Sequence, residues 1–158
     1  MVITRLFICP EHVYVGHFGG PAGTAPMVEV DRVQAVSGRG LVGDRYFDRP
    51  VNHKGQVTFF AEETWLQLCR KLAAPDRGPG VFRRNVLVSG ANLNSLVAAE
   101  FEVQGVRFQG SEYCKPCHWM DEAFAPGTLA ALSAWTAGGL RARILSDGWL
   151  TAAGRKKE

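Results

Sequence analysis

Long apolar runs are missing from this chain. None approaches the ~20 residues that a membrane-spanning helix needs. The opening stretch Met1-Val-Ile-Thr-Arg-Leu-Phe-Ile-Cys9 has no basic start, no long apolar centre and no small-residue cleavage site, so it reads as a first strand and a cytoplasmic location is expected. Internal repeats and low-complexity linkers are absent too, which argues against a solenoid or a disordered tether. Charge is sparse, at a net +3. A nucleic-acid binder would carry a denser basic face with aromatics between the charges. The arginines fall in short groups (Arg83-Arg84, Arg141 and Arg143) with a basic tail at Arg155-Lys156-Lys157. That scatter suits a small anionic ligand, because a guanidinium grips phosphate with two hydrogen bonds, although most of these side chains are expected simply to be solvated. Cysteine is scarce as well: Cys9, Cys69, Cys114 and Cys117, all expected to be reduced in a cytosolic chain large enough to build a core.

What the chain does have is a 46% hydrophobic share and 158 residues, the size of one ordinary domain spanning 1–158. Short β-rich segments recur between Gly, Pro and Asp: Val2–Ile8, Val13–Phe18, Val28–Val36, Val57–Phe60, Asn85–Val88, Glu100–Val103, Val106–Gln109 and Leu140–Leu145. Gln104-Gly105 has the length of a tight hairpin turn. One helix is expected in Ala61–Ala74, where Trp65, Leu68, Cys69 and Leu72 form an amphipathic stripe that makes Cys69 a small structural hydrophobe. A second runs through Thr128–Trp135 and stops at Gly138-Gly139. Many strands with few helices predict a mainly β protein, a closed or nearly closed β-barrel with two or three flanking helices. A sandwich would give much the same count.

The densest chemical cluster is Gly110-Ser-Glu-Tyr-Cys-Lys-Pro-Cys-His-Trp-Met-Asp121. Cys114 and Cys117 form a C-x-x-C pair with Lys115 and His118 beside them, and cationic neighbours favour the nucleophilic, metal-binding thiolate. A helix beginning near Cys117 would strengthen that preference. Three active roles compete. A structural zinc needs four ligands, of which Cys9-Pro-Glu-His12 would have to supply two. A thioredoxin-like dithiol expects a βαβ setting that is missing. A sulfur carrier, or the ligand of a sulfur-loving metal, needs only one reactive thiol. Inert buried cysteines fit poorly with such polar neighbours. The second cluster, Phe82-Arg-Arg-Asn-Val-Leu-Val-Ser-Gly90, places arginine and asparagine at the entry to a buried strand. There Arg83 and Asn85 would share a face and Arg84 would point away. The third is the glycine loop Gly38-Arg-Gly-Leu-Val-Gly-Asp-Arg-Tyr46, which lacks the spacing and the lysine of a P-loop. His53-Lys54-Gly55 could line the same cavity.

In order, Gly43-Asp44-Arg45, Arg83-x-Asn85-Val-Leu-Val-Ser-Gly90, Asn92-Leu93 and Cys114-x-Pro-Cys117 resemble the MOSC domain, the C-terminal domain of molybdenum cofactor sulfurases, over roughly Val28 to Gly148. The resemblance implies a β-barrel and the molybdenum cofactor (molybdopterin). It also implies one of two activities: sulfur transfer to that cofactor, or reduction of N-hydroxylated compounds at a cysteine-ligated molybdenum. Carried over, Cys117 is the metal ligand or sulfur carrier, with Cys114, His118 and Asp121 beside it. Arg83 and Asn85 would hold the pterin or its phosphate, and Asp44, Arg45, His53 and Asn92 would shape the pocket. Pyridoxal phosphate would enter only through a separate cysteine desulfurase. That enzyme or an electron-transfer protein is the implied partner, and a homodimer is compatible with the family. The chain departs from the family where glycines are common, reading Ala98-Ala99 and Gln104, and it has Gly154-Arg155 where relatives often have Gly-Asp.

Overall fold

The computed structural model describes residues 1–11, 25–50 and 52–154. Ten strands, in chain order, are β1 Val2–Ile8, β2 Val28–Val30, β3 Arg32–Val36, β4 Gly40–Leu41, β5 Val57–Ala61, β6 Val86–Ser89, β7 Glu100–Val103, β8 Val106–Tyr113, β9 Leu140–Ile144 and β10 Gly148–Thr151. Three α-helices accompany them, α1 Glu62–Lys71, α2 Trp119–Ala123 and α3 Thr128–Trp135, and 3₁₀ turns occupy Pro79–Phe82 and Leu93–Leu96.

Seven strands form one sheet in the order β2-β1-β6-β5-β9-β8-β7, antiparallel except for the parallel β5–β6 pair. The others form a small antiparallel sheet, β10-β3-β4. The segment expected as one strand over Val28–Val36 is two, because the chain passes from one sheet to the other at Asp31, whose carbonyl accepts from Ala152 N. The expected strand Val13–Phe18 lies outside the described residues. Among those residues the ladder does not close into a barrel. Instead β10 packs against β1 and β8, and the small sheet covers one face of the large one. Strand number alone could not separate closure from this stacking.

The central strand β5 shows how the two faces are used. Successive strand residues point to opposite faces. Phe59 therefore joins Leu6, Val86, Phe108 and Leu150 between the sheets, while Phe60 joins Leu68, Phe82, Phe124 and Leu132 under the helices. A strand covered on both sides is buried throughout, and here only Thr58 is polar, its hydroxyl satisfied by Asn85 Oδ1. In β1, Ile3 and Leu6 both face the first core although they stand three positions apart, an odd separation that would put them on opposite faces of a regular strand. The register shift between Ile3 and Arg5 re-phases the strand. On α1, Leu68 is fully buried and Trp65, Cys69 and Leu72 pack partly around it, so the expected stripe is present with a half-exposed Cys69 whose thiol pKa burial pushes up. Gln104 and Gly105 both have left-handed φ (51° and 79°), the signature of a type I′ hairpin turn. None of the described helices is long and apolar enough to cross a membrane.

Candidate functional site

Three loops meet beside the ends of β1, β5 and β6, and a buried polar knot joins them. The Asp44 side chain is 1% exposed and accepts from Cys9 N (3.0 Å), Asn85 Nδ2 (3.1 Å) and Tyr46 N (3.1 Å). Asn85 also donates to Phe7 O (3.2 Å), and its Oδ1 accepts from both Thr58 N (3.1 Å) and Thr58 Oγ1 (2.9 Å). Four contacts saturate an amide side chain. Asn85 thus ties the glycine loop to the sheet, and Asp44 fixes the backbone that carries Arg45. Both sit beneath the site and hold it in shape.

Above the knot is a cavity of about 150 Å³ lined by Arg45, His53, Lys54, Arg83, Arg84 and Arg141, with Tyr46 and Thr58 between them. A carboxylate lies behind that lining, where Glu112 pairs with both Lys54 (3.0 Å) and Arg141. Hydrogen bonding from Lys54 and then Arg141 holds Glu112 below the ordinary carboxylate range. His53 stacks on Tyr46 with ring centroids 5.7 Å apart, and its Nδ1 accepts from Gly55 N (3.2 Å). Burial, then the charges of Arg141, Arg49 and Lys54, keep its pKa below the ordinary value, so the imidazole is neutral at pH 7. The cavity thus gathers five permanent cations against two nearby carboxylates, Glu112 and the Asp44 that lies 3.6 Å from Arg45 Nη1, an excess of positive charge that favours an anion.

Arg83 is not in a strand. It ends the 3₁₀ turn Pro79–Phe82 in a left-handed conformation (φ 57°, ψ 38°), and β6 begins at Val86. The alternation expected for Arg83, Arg84 and Asn85 fails for that reason, and both arginines line the cavity. Arg83 donates through Nη1 to Ala25 O (2.7 Å) and through Nη2 to Glu11 O (3.2 Å) and Cys9 Sγ (3.3 Å). Five N–H bonds minus these three leave Nε and one Nη1 hydrogen without a partner among the described residues. Burial lowers its pKa, and the contact with the Cys9 sulfur opposes that shift. Arg84 donates from Nε to Gly138 O (3.1 Å) and from Nη1 to Phe82 O (3.2 Å), with its Nη2 donors unengaged among the described residues.

That Arg84 contact joins the cavity to the cysteine loop. Cys114 N donates to Gly139 O (2.8 Å), and Gly138 leaves no room for a side chain: a Cβ there would lie 2.0 Å from Cys114 O and 3.1 Å from Pro116 Cδ. Cys114 is 1% exposed, whereas Cys117 is half-buried and ends the loop before α2. The expected helix Thr128–Trp135 is present, and a further short helix stands between it and these thiols. The five-residue α2 starts at Trp119, and α3 follows at Thr128. His118 occupies the position before α2. Asp121 accepts from Leu129 N (2.7 Å) and so braces the start of α3. Asn92 caps the turn Leu93–Leu96 by accepting from Asn94 N, and it lines a separate cavity with Glu63 and Trp135.

The structure thus brings Arg45, His53 and Arg83 together over Asp44 and Asn85, and it leaves Asn92 elsewhere. Sequence reading missed Arg84 and Arg141 as cavity residues. Arg141 alternates with buried Leu140 and Ala142 and so looked like a solvated strand face. The sequence points to Cys9 only as a zinc ligand; in the structure its sulfur meets Arg83 and the Glu11 and Pro26 carbonyls. His12 lies outside the described residues, and among those described no three His, Cys, Asp or Glu side chains gather for a metal.

The sequence model described as "MOSC domain" matches residues 32–154. No curated protein matches the chain in sequence. Among solved structures, the YuaD protein of Bacillus subtilis is similar at a TM-score of 0.65 and 16% identity, covering 96% of this chain and 94% of that one. YiiM from Geobacillus stearothermophilus is similar at 0.67 and 12% identity (95% of this chain, 70% of that one). YiiM from Escherichia coli follows at 0.60 and 18% identity (95% and 67%). Another match, titled only as a hypothetical protein, is spanned over 65% of its length. At such identities the likeness is one of fold.

Proposed function

Because the chain belongs to the MOSC domain family, we propose that its cationic cavity and Cys117 together receive the molybdenum cofactor. The observation that carries this reading is the Arg84–Gly138 contact, which links an anion cavity to the loop bearing a half-buried thiol. The donor set suits the group. Arg45, Lys54, Arg83, Arg84 and Arg141 offer charge-assisted hydrogen bonds to a phosphate, and Cys117 offers the soft sulfur that molybdenum accepts. When bound, the cofactor would supply a redox-active metal for reduction of N-hydroxylated or related substrates, or a site to be sulfurated. The chain's own residues do the rest. Asp44 and Asn85 hold the arginines in register, neutral His53 is poised to take a proton beside the anion, and the Gly138-Gly139 saddle fixes the cysteine loop. A cysteine desulfurase or an electron-transfer protein would be the partner, in the cytoplasm.

Metal and pterin analysis of protein made in cofactor-competent cells tests the reading. Molybdenum and pterin in the wild type and neither in Cys117→Ser support it. Stoichiometric zinc without molybdenum or pterin would instead favour a non-enzymatic anion- or zinc-binding module.

A further inference from the structure

Arg83 lines two cavities. Besides the cationic one, it borders a groove of about 520 Å³ walled by Phe7, Met27, Val81 and Trp119. That volume lies in the range of small-molecule sites, which are mostly apolar with a few placed polar groups. The polar groups are few here. Arg5 and Glu29 neutralise one another through a two-point pair (2.6 and 2.5 Å), which leaves Arg83, among the described lining residues, as the charge without a carboxylate partner in the groove. Two of its N–H bonds have no partner among the described residues. The floor is kept clear by Gly80, where a Cβ would come within 3.2 Å of the Phe7 ring. Trp119 stands two residues beyond Cys117, so the cysteine loop and the groove share a boundary.

We propose that this groove binds a small aromatic molecule carrying an anionic head, its ring against Phe7 and Trp119 and its head on Arg83. An aromatic body matches the ring-lined wall, and an anion matches the single unneutralised guanidinium. The assignment rests on the groove and not on the molybdenum reading, so it is testable on the metal-free chain.

Calorimetric titration with 2-naphthoate, acetate and inorganic phosphate is the experiment. The expected result is one 2-naphthoate per chain, bound at least tenfold more tightly than acetate and than the uncharged 2-naphthalenemethanol. Val81→Trp, which fills the groove from the turn Pro79–Phe82, should weaken 2-naphthoate at least tenfold and spare phosphate. Lys54→Ala, in the other cavity, should do the reverse. Should Val81→Trp lose its circular-dichroism signature of folding, Ala123→Leu blocks the groove from α2 under the same criteria. Absence of 2-naphthoate binding, equal affinity for the alcohol, indifference to the groove-filling variant, or losses that track phosphate in Lys54→Ala would each overturn the proposal.

Discussion

Arg83 and Arg84 adjoin in sequence yet serve the cavity from different backbone shapes, and that difference separates what the sequence could say from what it could not. Strand alternation would have sent Arg84 away from Arg83 and Asn85; a left-handed Arg83 removes the alternation and brings Arg84 to the same wall. A 3₁₀ turn of Pro79-Gly-Val-Phe82 leaves no periodicity to read. Arg84→Ala should therefore weaken inorganic phosphate binding roughly tenfold, the loss of one charge-assisted contact, and Arg83→Ala should do the same; titration calorimetry reads both. Unchanged binding in Arg84→Ala would move the anion site elsewhere. His53 gives a pH signature. Its folded pKa lies below the ordinary 6.5, so the unfolded chain takes up the proton first as pH falls. Its contribution is complete above that value and is lost on acidification through the folded pKa. Urea unfolding at pH 7.5 and 5.5 should show a larger drop for wild type than for His53→Gln, and phosphate should shrink the gap by favouring the imidazolium. Between the thiols, Cys117→Ser is expected to abolish molybdenum retention and persulfide formation and Cys114→Ser only to weaken them. A null Cys114→Ser would reverse the two roles.

At the level of elements, strands with strong alternation or a clear turn were legible: β1 and β7 end where residue patterns place them, and α3 spans Thr128–Trp135 as expected. The short pieces were not. β4 is two residues inside a glycine loop, and β10 begins with Gly148, so neither offers a pattern long enough to recognise. Parallel pairing of β5 with β6 depends on tertiary placement and leaves no local mark. The family's glycine positions, by contrast, acquire a physical meaning. Ala98 and Gln104 both stand at left-handed φ, 61° and 51°, which costs a side-chain-bearing residue about 1 kcal/mol or more. Ala98→Gly should raise stability by about 1 kcal/mol in denaturant melts, since Ala98 offers only its backbone N–H to Gly110 O. Gln104→Gly should lower it, because that side chain both donates to Thr151 O and accepts from Thr151 N at 2.8 Å, extending β10 toward the hairpin. Stabilisation of the Gln104 variant would show those bonds to be worth less than the strain.

Across the whole molecule, one sheet with a core on each face carries the cation cavity at its strand ends, and the mainly β class was readable from strand-rich composition while the stacking of sheets was not. The β8–β9 ladder ends at the pair Tyr113–Leu140, so everything from Cys114 to Gly139 is a loop that this ladder closes. Ladder fraying there would release the cysteine loop while β1, β5 and β6 stay paired, a sub-global opening of the kind that sets native-state exchange. Two sealed thiols report on it: Cys114, 1% exposed, inside the closed loop, and Cys9, 0% exposed, held in the polar knot. Labelling by a disulfide reagent in sub-denaturing urea should therefore proceed at Cys114 with a shallow denaturant slope and at Cys9 with the steep slope of global unfolding. Equal slopes would mean that the loop and the sheet open as one. If they differ, the protein has a kinetic route by which its thiol loop can be presented to another molecule without dismantling the fold that orients it.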